Sequence, residues 1–229
     1  MKIWNKIPIK ENGDKLIAIP SYLNFLDPHP YSHLGAPYPC QDKTSIWKLR
    51  EEVINRLVKA NDYLISNNHF YLLIYDSWRP LEVQEFMFKR AFLYECEKLN
   101  IDACYENMKS YPSILKKVEK FWAYPSFDSN CPPPHSTGGA LDVCLSDKEG
   151  NLVEMGSKVD QMDETSNPKF YENINNEDAI IWNSRRNLLR EVMNKFGFAQ
   201  HPNEWWHFSY GDQLWAWKNK KTNALYGKI

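Results

Sequence analysis

The chain has 229 residues, 43% of them hydrophobic and 25% charged, with a net charge of −1 from 28 basic and 29 acidic side chains. That balance belongs to a soluble globular protein with a real core, and the absence of a basic stripe leaves nucleic-acid binding without support. No stretch approaches the roughly 18 apolar residues of a membrane span, so no membrane partner is expected.

The opening Met1-Lys-Ile-Trp-Asn-Lys lacks the apolar run of a signal peptide. Five cysteines (Cys40, Cys96, Cys104, Cys131, Cys144) make an odd number with no CxxC pair. They read as reduced thiols, and the cytoplasm is the expected compartment. In chain order, residues 1–45 are loop-rich, broken by Pro20, Pro28, Pro30, Pro37 and Pro39. Leu49, Val53, Leu57, Ala60 and Leu64 recur at helical spacing and predict a helix from Ile46 to about Ile65. Phe70–Tyr75 is a continuous apolar run, a buried strand. Pro80 stands where a helix can begin, with Val83, Phe86, Met87 and Ala91 on its apolar face. A short strand is predicted at Ala140–Leu145, a helix at about Ala179–Phe196 capped by Gly197, and a last strand at Trp205–Tyr210, with Trp215–Trp217 packing its end. There is no internal repeat, and the irregular alternation predicts an α+β fold. It is a compact single domain over 1–229, with a small central antiparallel sheet flanked by helices and residues 1–45 packed on it.

Three clusters carry chemistry: Asp76-Ser-Trp-Arg79-Pro80, His135-Ser-Thr-Gly-Gly-Ala-Leu-Asp142, and Glu204-Trp-Trp-His207. His135 lies on a constrained turn between three prolines and Gly138-Gly139, and Asp142 falls two residues into the strand that follows. A carboxylate among Leu141, Val143 and Leu145 is costly unless it is paired or binds a metal. Catalytic zinc takes three protein ligands of imidazole and carboxylate type and keeps a fourth position for water. His135, Asp142 and His207 supply such a set, leaving Glu204 as a spare carboxylate able to move the proton of that water. Arg79, between a buried strand and a helix, either faces an oxyanion or pairs with Asp76; position alone leaves the two open.

Together, SWRP, PHSTGGALD and EWWH resemble the motifs of the D-alanyl-D-alanine dipeptidases, the VanX-type branch of the zinc DD-peptidases, in order from Asn24-Phe25 to His207. The resemblance includes Met155-Gly-Ser-Lys-Val-Asp160 and Met162-Asp163-Glu164. It implies one Zn2+ per chain on His135, Asp142 and His207, Glu204 as catalytic base, Arg79 as the transition-state arginine, and Asp160 as the receiver of a dipeptide's free amino group. It also implies the fold shared with Hedgehog signalling domains. The chain departs from the family at Pro133, where the resistance-type dipeptidases carry a serine that helps bind the substrate carboxylate, and at Thr137, where they carry arginine. The family's N-terminal substrate-site tyrosine has no secure match, although Tyr22 lies nearby.

Two further readings stay open: a cell-wall peptide carboxypeptidase of the same fold, and a zinc-stabilised binding domain without turnover. His29 and His33 lie in a Pro-rich loop where a spacing of four has no helical meaning. His201 reads as an exposed loop residue and Cys144 as a small buried apolar one. Cys131 has no base beside it.

Overall fold

The computed structural model describes residues 2–39 and 46–229; Cys40 lies outside them. Proline and glycine punctuate the first described segment, but it is not wholly irregular. Strand β1 (Leu16–Ala18) pairs antiparallel with β3 (Lys48–Arg50). Between them come β2 (Asn24–Phe25) and the four-residue helix α1 (Pro30–His33), whose start is capped by the side chain of His29. The predicted helix at Ile46 begins later, as α2 (Glu51–Asn68). Pairing with β1 keeps residues 48–50 extended, and the acidic pair Glu51-Glu52 then sits at the positive end of the helix. The apolar spacing runs through this boundary because Leu49 of the strand enters the same core as Val53, Leu57, Ala60 and Leu64.

The main sheet has five strands in the order β2, β4 (Tyr71–Asp76), β5 (Ala140–Ser146), β7 (His207–Ser209), β6 (Ala199–Gln200). Its centre is antiparallel as predicted, while the edge strand β2 runs parallel to β4. The strand expected at Trp205–Tyr210 shrinks to three residues, Trp205 and Trp206 forming a buried bend before it. One face of the sheet packs on α2 and α5 (Glu177–Lys195), with Leu72, Ile74, Leu141 and Val143 meeting Leu57, Leu189, Val192 and Met193. Gly197 ends α5 at φ +87°, where Phe198 N–H returns to Met193 O at 3.0 Å, the left-handed C-terminal cap its position predicts.

A second apolar cluster joins α3 (Leu81–Glu97) to α4 (Pro112–Phe121) through Phe88, Phe92, Val118 and Trp122, with Tyr31 among them. Helix α4 escapes the sequence reading because only Ile114 and Val118 of its ten residues are buried, too few to show a period. The last helix, α6 (Gln213–Lys218), absorbs Trp215 and Trp217. Among the described residues no helix is long and apolar enough to cross a membrane.

Candidate metal centre

The site begins with an irregularity in pairing. Along β4 and β5, Leu72 faces Leu145 and Ile74 faces Val143, but the next partner of Asp142 is Asp76, so Tyr75 is an extra residue. Residues 72 and 74 point into the core shared with α2. A regular strand would send Asp76 there too, and the bulge turns it to the opposite face beside Asp142. Across β5, Asp142 is paired with His207 of β7. Three adjacent strands thus place Asp76, Asp142 and His207 in one row. Two carboxylates directly opposite each other repel unless cations lie between them.

Arg79, in the loop after β4, is the cation near both, 2.6 Å from Asp76 and 3.7 Å from Asp142, and a turn brings a nitrogen donor. His135 stands in a 3-10 turn, Pro134–Thr137, that ends at Gly138 with φ +72°. The next glycine is held just as tightly, since a Cβ on Gly139 would stand 2.5 Å from the carbonyl oxygen of Tyr210. The turn brings His135 Nε2 to 3.2 Å from His207 Nδ1 and 3.4 Å from Asp142 Oδ2, while His207 Nδ1 stands 3.1 Å from Asp142 Oδ1. All three residues are buried, and among the described residues they form the group whose donor atoms lie within 4.8 Å of one another. Ligands about 2.0–2.1 Å from one tetrahedral zinc stand about 3.3 Å apart; here the two imidazole nitrogens are 3.2 Å apart, with one Asp142 oxygen 3.4 Å from His135 and the other 3.1 Å from His207. Asp142 Oδ1 is moreover a buried oxygen without a hydrogen bond. The three residues fit a zinc ion.

The outer nitrogens fix the tautomers. His135 Nδ1–H donates to Ser77 O at 2.8 Å and stands 3.2 Å from Asp76 Oδ2, leaving the Nε2 lone pair free to face the centre. His207 Nε2 faces Ser209 Oγ at 3.4 Å.

Arg79, whose two readings position left open, is drawn both ways. Its Nη2 lies 2.6 Å from Asp76 Oδ2, Nη1 donates to Gln84 Oε1 at 2.7 Å, and Nη2 also reaches to 3.7 Å from Asp142 Oδ2. It is buried, yet it lines the same cavity as the three donors. Glu204 is buried too, with Oε2 3.6 Å from His207 Nδ1 and Oε1 3.3 Å from His201 Nδ1. Burial, then the charges of Asp142 and Asp160, push its carboxyl well above its ordinary range. A divalent cation alongside works in the opposite direction by favouring the carboxylate.

Asp160 lines the cavity in the left-handed backbone region, φ +63°. It accepts a 2.8 Å hydrogen bond from the Tyr31 hydroxyl, and its pKa is pushed up to about 7 by burial and then by the charge of Asp142. Its loop is held from behind by Arg186. That buried guanidinium donates to Met155 O (2.7 Å), Thr165 O (2.8 Å), Asn167 O (3.0 Å) and Ser157 Oγ (3.0 Å). Trp205 Nε1 also donates to Ser157 Oγ, at 2.9 Å. We expect Arg186→Gln to loosen the Asp160 loop while leaving the donor set in place, so that amide exchange over residues 155–167 quickens with metal content unchanged; exchange mass spectrometry and metal analysis check both.

Several residues around the site were read differently from sequence. His201 is buried, not exposed, with its ring edge-on to His207 and to Trp4. His29 is no ligand, but it is buried with Nε2 3.2 Å from Asp76 Oδ1; His33 is exposed. Tyr22 is 68% exposed, and the tyrosine at the site is Tyr31. Cys144 is buried, and burial and then Asp142 raise its thiol. Cys131 lines the cavity, and against the sequence reading a base does stand beside it, since its thiol donates to Asp128 Oδ2 at 3.7 Å and lies 3.4 Å from Ser126 Oγ.

Comparison with known proteins adds a lineage to this geometry. A family model described as D-ala-D-ala dipeptidase matches residues 44–224. The chain is 34% identical to the D-alanyl-D-alanine dipeptidase of Synechocystis sp. over 237 residues, spanning 100% of this chain and 95% of that one. It is 31% identical to the D-alanyl-D-alanine dipeptidase of Enterococcus faecium, over 71% of this chain and 72% of that one. Among solved structures, VanYB in complex with D-Alanine-D-Alanine aligns at 15% identity and a TM-score of 0.46, covering 76% of this chain and 79% of that one. The family match spans every residue of the donor row and its turns, and on that match the chain belongs to the D-alanyl-D-alanine dipeptidase family.

Proposed function

We propose that the protein hydrolyses D-alanyl-D-alanine or a closely similar dipeptide, with His135, Asp142 and His207 holding one zinc ion and Glu204 as the catalytic base. The observation that carries this reading is Glu204, a buried carboxylate 3.6 Å from a ligand histidine yet outside the donor set. A purely structural site has no use for such a group. When bound, zinc supplies Lewis acidity toward the scissile carbonyl and toward water.

The chain's own residues do the rest. Asp160 and Tyr31 hold the substrate's ammonium group. Glu204 takes a proton from the attacking water and passes it to the leaving amine, so that one amide and one water give one acid and one amine. Arg79, fixed by Asp76 and Gln84, faces the oxyanion. Trp206 walls the cavity and keeps bulk water from these charges. We also take residues 1–229 as one peptidase domain, since the N-terminal segment packs on the C-terminal one through Trp4 against Trp217 and the Ile9–Ala224 bridge. The cytoplasm suits Cys96, Cys104, Cys131 and Cys144, which are all free thiols.

A panel of D-Ala-D-Ala, L,D-dipeptides and a tripeptide tests the substrate. D-Ala-D-Ala is expected to turn over fastest, with the tripeptide a poor substrate because its amino end overshoots Asp160. A preferred tripeptide replaces this reading with the carboxypeptidase, and bound zinc without turnover replaces it with the binding domain.

A further inference from the structure

The cavity holding the donor set has a volume of about 890 Å3, and its charges are laid out in a sequence. Asp160 bonds Tyr31, Tyr31 bonds Arg79, and Arg79 approaches Asp142. Beyond the donors come Glu204, at 3.6 Å from His207, and His201, at 3.3 Å from Glu204. Lys2 lines the same cavity as Glu204 and His201, and Trp4, two residues on, packs edge-on against His201. Among the described residues, Asp160 closes the row at one end as a carboxylate not paired with a cation, and Lys2 stands toward the other as an ammonium not paired with an anion. A free dipeptide is a zwitterion with its charges at opposite ends, and it fits the row in one direction only.

The prolines and the other cations lining the cavity are poor receivers for a carboxylate. Pro132, Pro133 and Pro134 form the wall beside His135 and offer neither an N–H nor a polar side chain. Arg79 is committed to Asp76 and Gln84, and Lys117 is paired with Glu95. Lys116 and Lys120 are exposed, where a charge pair is worth little. Lys2 is half-buried, and its ammonium has a single hydrogen bond, to Lys120 O at 3.3 Å. Among the described residues no carboxylate stands within ion-pair distance of it. Burial lowers its pKa, with Glu204 opposing, so the ammonium gains from an anion placed against it.

Its position is also built rather than incidental. Two residues on, Trp4 is buried against His201 and Trp217, with ring centroids 5.7 and 5.5 Å away. Gln213 Nε2 donates to Asn5 O and to Ile7 O at 2.6 Å. The N-terminal turn is thereby pinned to α6 with Lys2 at the cavity.

We propose that Lys2 receives the carboxylate of the substrate's C-terminal residue and so selects free dipeptides over capped ones. This rests on the dipeptidase reading above. The test compares D-Ala-D-Ala with its C-terminal carboxamide on the wild type, Lys2→Met and Lys2→Arg, each zinc-loaded and assayed for zinc content. In the wild type the free acid is expected to be preferred. Lys2→Met should lower kcat/KM for the acid about tenfold, chiefly through KM, while leaving the carboxamide nearly unchanged. Lys2→Arg should keep most of the preference. If Lys2→Met lowers acid and carboxamide equally, or neither, the assignment of Lys2 is overturned while the dipeptidase reading stands. If the zinc-loaded wild type cleaves neither compound, the dipeptidase reading itself fails and takes this assignment with it.

Discussion

Replacing Glu204 with alanine is expected to leave the zinc bound and to slow dipeptide hydrolysis on the order of a thousandfold or more. The two halves of that expectation come from different parts of the geometry. Zinc retention follows because the donors His135, Asp142 and His207 converge without Glu204 and are oriented by other groups, Ser77 O and Asp76 behind His135 and Ser209 behind His207. The rate loss follows because Glu204 is the buried carboxylate beside the donors that is neither a ligand nor committed to a cation as Asp76 is. Glu204→Gln sharpens the test, since it keeps the shape among Trp205, Trp206 and His201 but cannot accept a proton. Similar losses in both variants, with one zinc per chain in each, assign the effect to proton transfer. Near-normal hydrolysis in either variant removes Glu204 from the mechanism.

Arg79→Met is expected to damage both stability and rate, by separable routes. Asp76 and Asp142 face each other across β4 and β5 at full burial, and Arg79 is the cation nearest both. Taking away one partner of a buried ion pair leaves the other uncompensated and costs about 3–5 kcal/mol. Losing a fixed donor aimed at an oxyanion costs roughly a hundred- to a thousandfold in kcat. The double variant Asp76→Asn/Arg79→Met separates them: removing the stranded carboxylate should return much of the stability in a urea melt without returning the rate. Arg79→Lys should not rescue either, because one ammonium cannot replace a planar fork that serves Asp76, Gln84 and the Tyr31 hydroxyl together. Recovery of rate in the double variant confines Arg79 to a structural role.

The three donors and Glu204 are legible in the sequence because each breaks a local rule. Asp142 sits within an apolar strand, His135 on a turn stiffened by prolines and glycines, and Glu204 and His207 bracket two tryptophans where alternation should continue. What was hidden depends on pairing across the chain. Asp76 reads from sequence as a partner for Arg79, and the bulge at Tyr75 is what also turns it toward Asp142 and His135. His201 lies in what the sequence shows as an ordinary loop; it is buried, with Trp4 from the other end of the chain packed edge-on against it. Lys2 and Tyr31 reach the site through the same kind of distant packing. The late start of α2 belongs here as well, since Glu51 begins the helix only because residues 48–50 are claimed by a strand more than thirty positions earlier, Leu16–Ala18. Periodicity reports which residues are buried, and it says little about which distant segment buries them.

If His135, Asp142 and His207 hold the ion on which hydrolysis depends, metal titration of the stripped protein will show it. After chelator treatment, D-alanine release from D-Ala-D-Ala should be lost, and adding Zn2+ should restore it in proportion until one ion per chain is bound, with His207→Ala failing to recover at that stoichiometry. Full release by the stripped wild type, or full recovery of His207→Ala at one equivalent, would contradict it.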